Sequence, residues 1–253
     1  MPRRTQLLPE PAVTPATDQR DRVRPRHVGI IPDGNRRWAS QRGLPAAAGF
    51  KAGAKRIPPM LELCAAKGIE YVTLWMLSDR NLLRSSEQLT AMVELTEHTV
   101  ALLSSQRRWR LRLIGRLDLL PPATMALLDA SAAATANLTG PVVNLAIGYA
   151  GRHDITTAVR SLLRSPDLRD FSAEQVADSL TTEHISRHLS TGGQPDPDLV
   201  IRTSGEIRLS GFMTWQIAES ELYFANKLWP EFDEREFELA LAAYRDRDRR
   251  FGI

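Results

Sequence analysis

Apolar residues in this chain fall into short dense runs, separated by longer stretches in which they recur every three or four positions. The runs Val28–Ile31, Ile69–Leu77, Trp109–Ile114, Val142–Ile147 and Leu199–Ile201 are rich in β-branched and aromatic residues, as strands buried on both faces are. Helical spacing predicts a short helix over 38–43 and a second over about 51–67, with Pro58-Pro59 marking a kink or break. Ser85-Ser86 cap a long helix to about Gln106, with Leu89, Met92, Val93, Leu95, Val100, Leu102 and Leu103 as its apolar positions. Further helices are expected over 121–137, from Arg152 to about Leu163, in short pieces within 172–189, and over 233–249. The segment between Arg202 and Phe224 reads as a polar loop followed by an aromatic stretch. Strands alternating with helices predict an α/β fold: one domain with a mostly parallel central sheet flanked by helices. Ligands bind such sheets outside the carboxyl ends of the strands, where polar clusters begin at Asp33, Ser78 and Arg202.

Charge changes this picture only at one end. The chain has 253 residues, 43% hydrophobic and 25% charged, the balance of a globular protein, and carries a formal net charge of +3. Six arginines against three acidic residues give residues 1–26 that entire excess, leaving 27–253 formally neutral. Residues 1–26 are therefore expected to be a disordered or loosely packed basic leader, and no nucleic-acid face is expected on the domain. No apolar run reaches the ~18 residues of a membrane span. The single cysteine, Cys64, suggests a reducing, cytoplasmic setting and reads as a core residue.

The stretch from His27 to Ala39 ends a strand in Asp33-Gly-Asn-Arg-Arg-Trp38, bringing a carboxylate, an amide and two guanidinium groups together. One reading is a diphosphate held by Arg36, Arg37 and backbone amides, with Mg²⁺ bridging it to Asp33. The other is a solvated turn with two surface arginines. Asp198–Gly211 adds a second anion-binding set in Arg202, Arg208 and Ser210, since the planar guanidinium fork meets phosphate oxygens bidentately. Glu221 is a carboxylate in apolar surroundings, suited equally to a metal shared with Asp33 or to an arginine partner.

These stretches, with Asn144–Asp154, Glu221–Phe224, Trp229-Pro230 and Arg249–Gly252, resemble the cis-prenyltransferase family in order and across roughly residues 27–252. The resemblance implies a homodimeric, Mg²⁺-dependent catalytic domain over 27–253, joining an allylic diphosphate to a second prenyl diphosphate. By match to the motifs, Asp33 is the metal and catalytic carboxylate, and Glu221 the second metal ligand. Gly34, Asn35, Arg36, Arg37 and Trp38 hold the allylic substrate. Ser78, Arg80, Asn81, Leu82 and Arg84 form a second loop, with Asn81 assisting proton removal. Arg202, Arg208 and Ser210 hold the acceptor's diphosphate, and Gly252 belongs to a tail that reaches the partner subunit's site.

The sequence departs from the family pattern in two groups of positions. Ala46 and Phe50 stand where long-chain members carry an arginine and a histidine. With Leu82, they resemble short-chain actinobacterial members making products of about C10 to C15. Arg80, Ile207 and Glu219 fit neither group, and raise an irregular, head-to-middle coupling of the lavandulyl type as a second expectation. The candidate substrates are dimethylallyl, geranyl and isopentenyl diphosphates. A longer-chain synthase and a non-catalytic prenyl-diphosphate-binding subunit are the alternatives. Trp75, Met76, Leu77 and Met92 are the bulky residues expected to close the tunnel early.

Overall fold

The computed structural model describes residues 24–83 and 86–246. Most of the expected leader, together with Arg84, Ser85 and Gly252, lies outside them. Six parallel strands, β1 (His27–Ile31), β2 (Tyr71–Trp75), β3 (Arg110–Ile114), β4 (Val142–Ala146), β5 (Leu199–Arg202) and β6 (Glu221–Phe224), form one sheet in the order β3-β4-β2-β1-β5-β6. The order reverses at β1, with β2 to β4 on one side and β5 and β6 on the other.

Alternation along β1 divides the two faces. Val28 and Ile30 join the larger core with residues of α2 (Ala46–Ala66), α3 (Ser86–Ser105), α4 (Pro122–Ala133) and α8 (Glu234–Arg245). Ile31 joins a smaller cluster with Phe212, Met213 and Tyr149. Gly29 lacks a side chain because Phe212 lies there: a Cβ would stand 3.0 Å from its ring. On that second face α5 (Gly151–Leu163) packs on α7 (Thr182–His188), with α6 (Ala173–Ser179) nearby.

Three details differ from expectation. α1 (Asn35–Ser40) starts three residues early, because Gly34 at φ 103° turns the chain straight into a helix. Asn35, Arg36 and Arg37 are thus its first turn. α2 runs unbroken through Pro58 and Pro59. Buried Ile57, Met60, Leu61 and Cys64 hold it against the core and outweigh the two missing N–H donors. β6 was not expected as a strand. It opens on a charged residue and, among the described residues, pairs only with β5, so its four positions are half-buried and lack the dense apolar signature.

Candidate active site

The point where the strand order reverses leaves a crevice between the carboxyl ends of neighbouring strands. β1 and β5 are neighbours there, Ile31 lying level with Arg202, and two oppositely charged side chains meet just beyond. An Arg202 guanidinium N–H donates to Asp33 Oδ2 at 2.8 Å, with the arginine side chain 5% exposed and the carboxylate 39%. A second Arg202 N–H donates to Ser210 Oγ at 3.0 Å and to the Arg208 carbonyl, while Nε–H is buried without an acceptor. Thr203 locks the pair from behind: its hydroxyl donates to the Asp33 carbonyl at 2.7 Å and accepts the Asp33 N–H at 2.9 Å.

The loop after β5 is strained where it serves this centre. Ser204 and Ser210 both adopt left-handed backbone, at φ 78° and 51°, which non-glycine residues hold only when their surroundings enforce it. Arg37 donates to the Ser204 carbonyl at 2.8 Å and to Glu206 at 2.6 Å, and Arg208 pairs with the same carboxylate. Those two hydrogen bonds hold the Glu206 carboxyl below the usual carboxylate range. Beyond β2, Ser78 and Asn81 tie a short turn: Asn81 Oδ1 accepts both the Ser78 N–H at 2.9 Å and its hydroxyl at 3.0 Å. With its oxygen engaged twice, Asn81 has its NH₂ group left to offer as a donor.

A cavity of about 410 Å³ opens at this centre. Its rim carries Asp33, Gly34, Asn35, Arg36, Arg37, Ser78, Asn81, Arg202 and Ser210, nine positions expected from sequence. Its apolar wall runs between α2 and α3 and includes Phe50, Ile57, Met92 and Leu95; Trp75, Met76 and Leu77 also border it. Trp38, Arg80, Leu82 and Arg208 do not border it. The Arg42 guanidinium stacks on Trp38 at 4.4 Å, Leu82 lies against Gly148, and Arg80 is exposed. Sequence reasoning missed Gly53, Thr96 and Thr99 on the wall, and Thr203 and Glu206 behind it. Thr203 and Glu206 lay within a stretch already singled out. The threonines sit at helical spacing on α3 and were legible only as polar breaks in its apolar stripe.

Glu221 is not brought to Asp33 within the chain. It pairs in register with Leu199, which lies level with Val28, at the opposite end of the sheet. At about 3.3 Å per residue, that places it roughly 15 Å from the rim along the strands. Asp33 by itself suits Mg²⁺, which takes one or two carboxylates together with waters and substrate phosphates. Its carboxylate is partly open to solvent and stands on the cavity rim beside three arginines.

A cationic rim above an apolar shaft at the carboxyl ends of parallel strands defines an enzyme that handles a diphosphate carried on an apolar chain. A family model for undecaprenyl diphosphate synthase matches residues 31–252. Isoprenyl transferase 1 of Streptomyces avermitilis is 45% identical over 90% of this chain and 89% of its own length. The (2Z,6E)-farnesyl diphosphate synthase of Thermobifida fusca is 47% identical over 90% of each chain. The structure of lavandulyl diphosphate synthase from Lavandula x intermedia, in complex with dimethylallyl diphosphate, superposes with a TM-score of 0.83 at 33% identity, covering 92% of this chain and all of that one. The chain belongs to the undecaprenyl diphosphate synthase family, the cis-prenyltransferases, and is a prenyltransferase.

Proposed function

We propose that this enzyme is a regular, short-chain, Mg²⁺-dependent cis-prenyl diphosphate synthase, working as a homodimer in the cytoplasm. It adds isopentenyl diphosphate to dimethylallyl or geranyl diphosphate and makes a Z-configured product of about C10 to C15. The observation that carries this reading is the cavity: at about 410 Å³ it is near the lower end of the small-ligand range, short for a long polyprenyl tail. Relatives at 44–47% identity with the name (2Z,6E)-farnesyl diphosphate synthase support the same product class.

The allylic C–O bond breaks with its electrons leaving on the diphosphate, and the acceptor's double bond attacks the allylic carbon. Arg36, Arg37 and the first-turn N–H groups of α1 meet the leaving diphosphate, where negative charge grows. Arg202 and Ser210 hold the acceptor's diphosphate next to it, and Asn81 donates its NH₂ to one of the two. When bound at Asp33, Mg²⁺ adds charge neutralisation of the departing diphosphate. Phe50, Ile57, Met92 and Leu95 exclude water from the allylic cation. The proton lost from the acceptor passes to the released diphosphate, since Arg202 holds the Asp33 carboxylate.

Irregular coupling rested on Arg80, Ile207 and Glu219, and none of these borders the cavity. Ile207 is 80% exposed, and Arg80 and Glu219 are exposed too. Lying on the surface away from the cavity, they lend irregular coupling no support. The purified protein should be incubated with Mg²⁺ and geranyl diphosphate, plus either isopentenyl or dimethylallyl diphosphate, and the dephosphorylated alcohols identified by mass spectrometry and NMR. A linear Z-alcohol only with isopentenyl diphosphate is the expected result. Branched alcohols from dimethylallyl diphosphate would establish irregular coupling, and no product from either pair would rule out geranyl diphosphate as the allylic substrate.

A further inference from the structure

A second cavity, of about 930 Å³, opens beyond the carboxyl ends of β3 and β4, alongside α5. It shares no lining residue with the catalytic cavity. Gly115 borders it, and Gly148 lies against the same turn. Gly115 and Gly148 hold φ at 114° and 61°, and a Cβ on Gly115 would stand 2.1 Å from the Ile147 carbonyl oxygen. The two strand ends can therefore close on one another, with the Arg116 N–H donating to the Gly148 carbonyl at 3.3 Å. That places Arg116 at the cavity.

The lining is polar and unevenly charged. His153, Thr157 and Arg160 border it from α5, and Arg164 from the residue that ends the helix, at spacings that put them on one helical stripe. Arg116 is matched by Asp118, through two hydrogen bonds of 2.8 and 2.7 Å. The Asp154 carboxylate at the base is 8% exposed and accepts four hydrogen bonds, from the Tyr149 hydroxyl, the Ser190 N–H and hydroxyl, and Gln216 Nε2, at 2.9 to 3.2 Å. No ion pair among the described residues involves Arg160 or Arg164. Two like charges one turn apart repel each other, and an anion set between them removes that repulsion. Thr157 and Ser161 add hydroxyl groups. Forked cations with hydroxyls between them complement phosphate oxygens rather than a single carboxylate.

We propose that this groove is a second anion site, which binds a ligand carrying a diphosphate or clustered phosphates through Arg160 and Arg164. The ligand is either a free phosphate compound or the headgroup of an anionic lipid. Both present the same oxygens. The test compares the full-length protein with Arg160→Gln/Arg164→Gln, a change confined to exposed side chains. Inorganic diphosphate is titrated by calorimetry at low salt, and the catalytic rim takes the same anion in both proteins. The readout is therefore the site present in the wild type and missing from the variant. The variant is expected to bind one diphosphate fewer per chain than the wild type, with kcat unchanged and the lost site weakening as salt rises. In a parallel arm, vesicles containing phosphatidylglycerol are sedimented with each protein against vesicles of phosphatidylcholine alone. Selective loss in the calorimetry arm assigns a free phosphate compound, and selective loss in the vesicle arm assigns a lipid headgroup. Identical behaviour of the two proteins in both arms overturns the proposal. A change of sedimentation mass in the variant overturns it too, since the groove is then a contact between copies.

Discussion

Asp33 and Arg202 form a pair whose members differ in how much they need each other. The arginine is nearly enclosed and the carboxylate is half open, so the guanidinium suffers more when the pair is broken. Asp33→Asn keeps the shape while removing both the metal-binding charge and the anchor of Arg202. Its kcat with geranyl and isopentenyl diphosphates should fall by about 10²- to 10³-fold, measured at saturating Mg²⁺. A rate within a few-fold of the wild type would remove Asp33 from the chemistry. His27 makes a different residue-scale prediction. Nδ1–H donates to the Pro195 carbonyl at 2.7 Å, so Nε2 accepts from the Thr73 hydroxyl at 2.8 Å, and that hydroxyl in turn accepts from Asn144 at 2.9 Å. Burial, only partly offset by Pro195 and Asp198, pulls its pKa down to about 4. The unfolded chain, with an ordinary pKa near 6.5, then binds a proton that the native one refuses as pH falls from 6.5 to 4. Stability should drop across that window by up to about 1.4 kcal/mol per pH unit from this group. Urea unfolding at several pH values should show the slope reduced in His27→Gln. An unchanged slope would mean that the imidazole is protonated in the native state.

At the scale of elements, the site depends on how closely α1 approaches α2. A Cβ on Gly49 would stand 2.0 Å from the Asn35 carbonyl oxygen, and one on Gly53 2.1 Å from Asn35 Oδ1 and 3.0 Å from the Trp229 ring. Trp229 bridges both sides of the contact, its ring N–H donating to the Gly53 carbonyl and its backbone N–H to the Asp33 carbonyl. Gly53→Ala should therefore cost about 1–3 kcal/mol of stability, as overpacking does. It should also raise KM for the allylic substrate by pushing the first turn of α1 off the rim. An unperturbed KM would show that α1 reaches the diphosphate some other way. Elements of this kind explain what the sequence could and could not reveal. Five of the six strands were legible because burial on both faces demands continuous apolar runs, whereas β6 at the sheet edge makes no such demand. The rim was legible because Asp33, Arg36, Arg37, Arg202 and Ser210 carry their chemistry in two compact stretches. Gly53, Thr96 and Thr99 were not, since a small residue matters only against the neighbour that crowds it, and that neighbour comes from another part of the chain. Pro58-Pro59 misled for the same reason: a local rule yields where tertiary packing on α2 is strong.

For the molecule as a whole, product length follows from where the shaft between α2 and α3 stops. Ile57 borders it from α2, and Met92, Leu95, Thr96 and Thr99 border it from α3. The next turns present Met60, Leu61 and Leu103, fully buried residues that do not border the cavity, so the shaft ends near Ile57 and Thr99. The hydroxyl of Thr99 donates to the Leu95 carbonyl at 2.7 Å and that of Thr96 to the Met92 carbonyl at 2.8 Å. Both hydroxyls are thereby satisfied within the helix and do not oppose a prenyl chain. Ile57→Ala/Thr99→Ala should deepen the shaft and shift products upward by one or more isoprene units. The Ile57 truncation should also cost about 2–5 kcal/mol, so the assay belongs well below the variant's melting temperature. Thr99→Leu adds bulk at the same depth and should confine the enzyme to its shortest product. The two variants predict opposite shifts in product length, so loss of stability cannot mimic the pattern. Mass spectrometry of the dephosphorylated alcohols decides it. If both variants turn over and give the wild-type length, the shaft ends elsewhere and product release, rather than depth, sets the length.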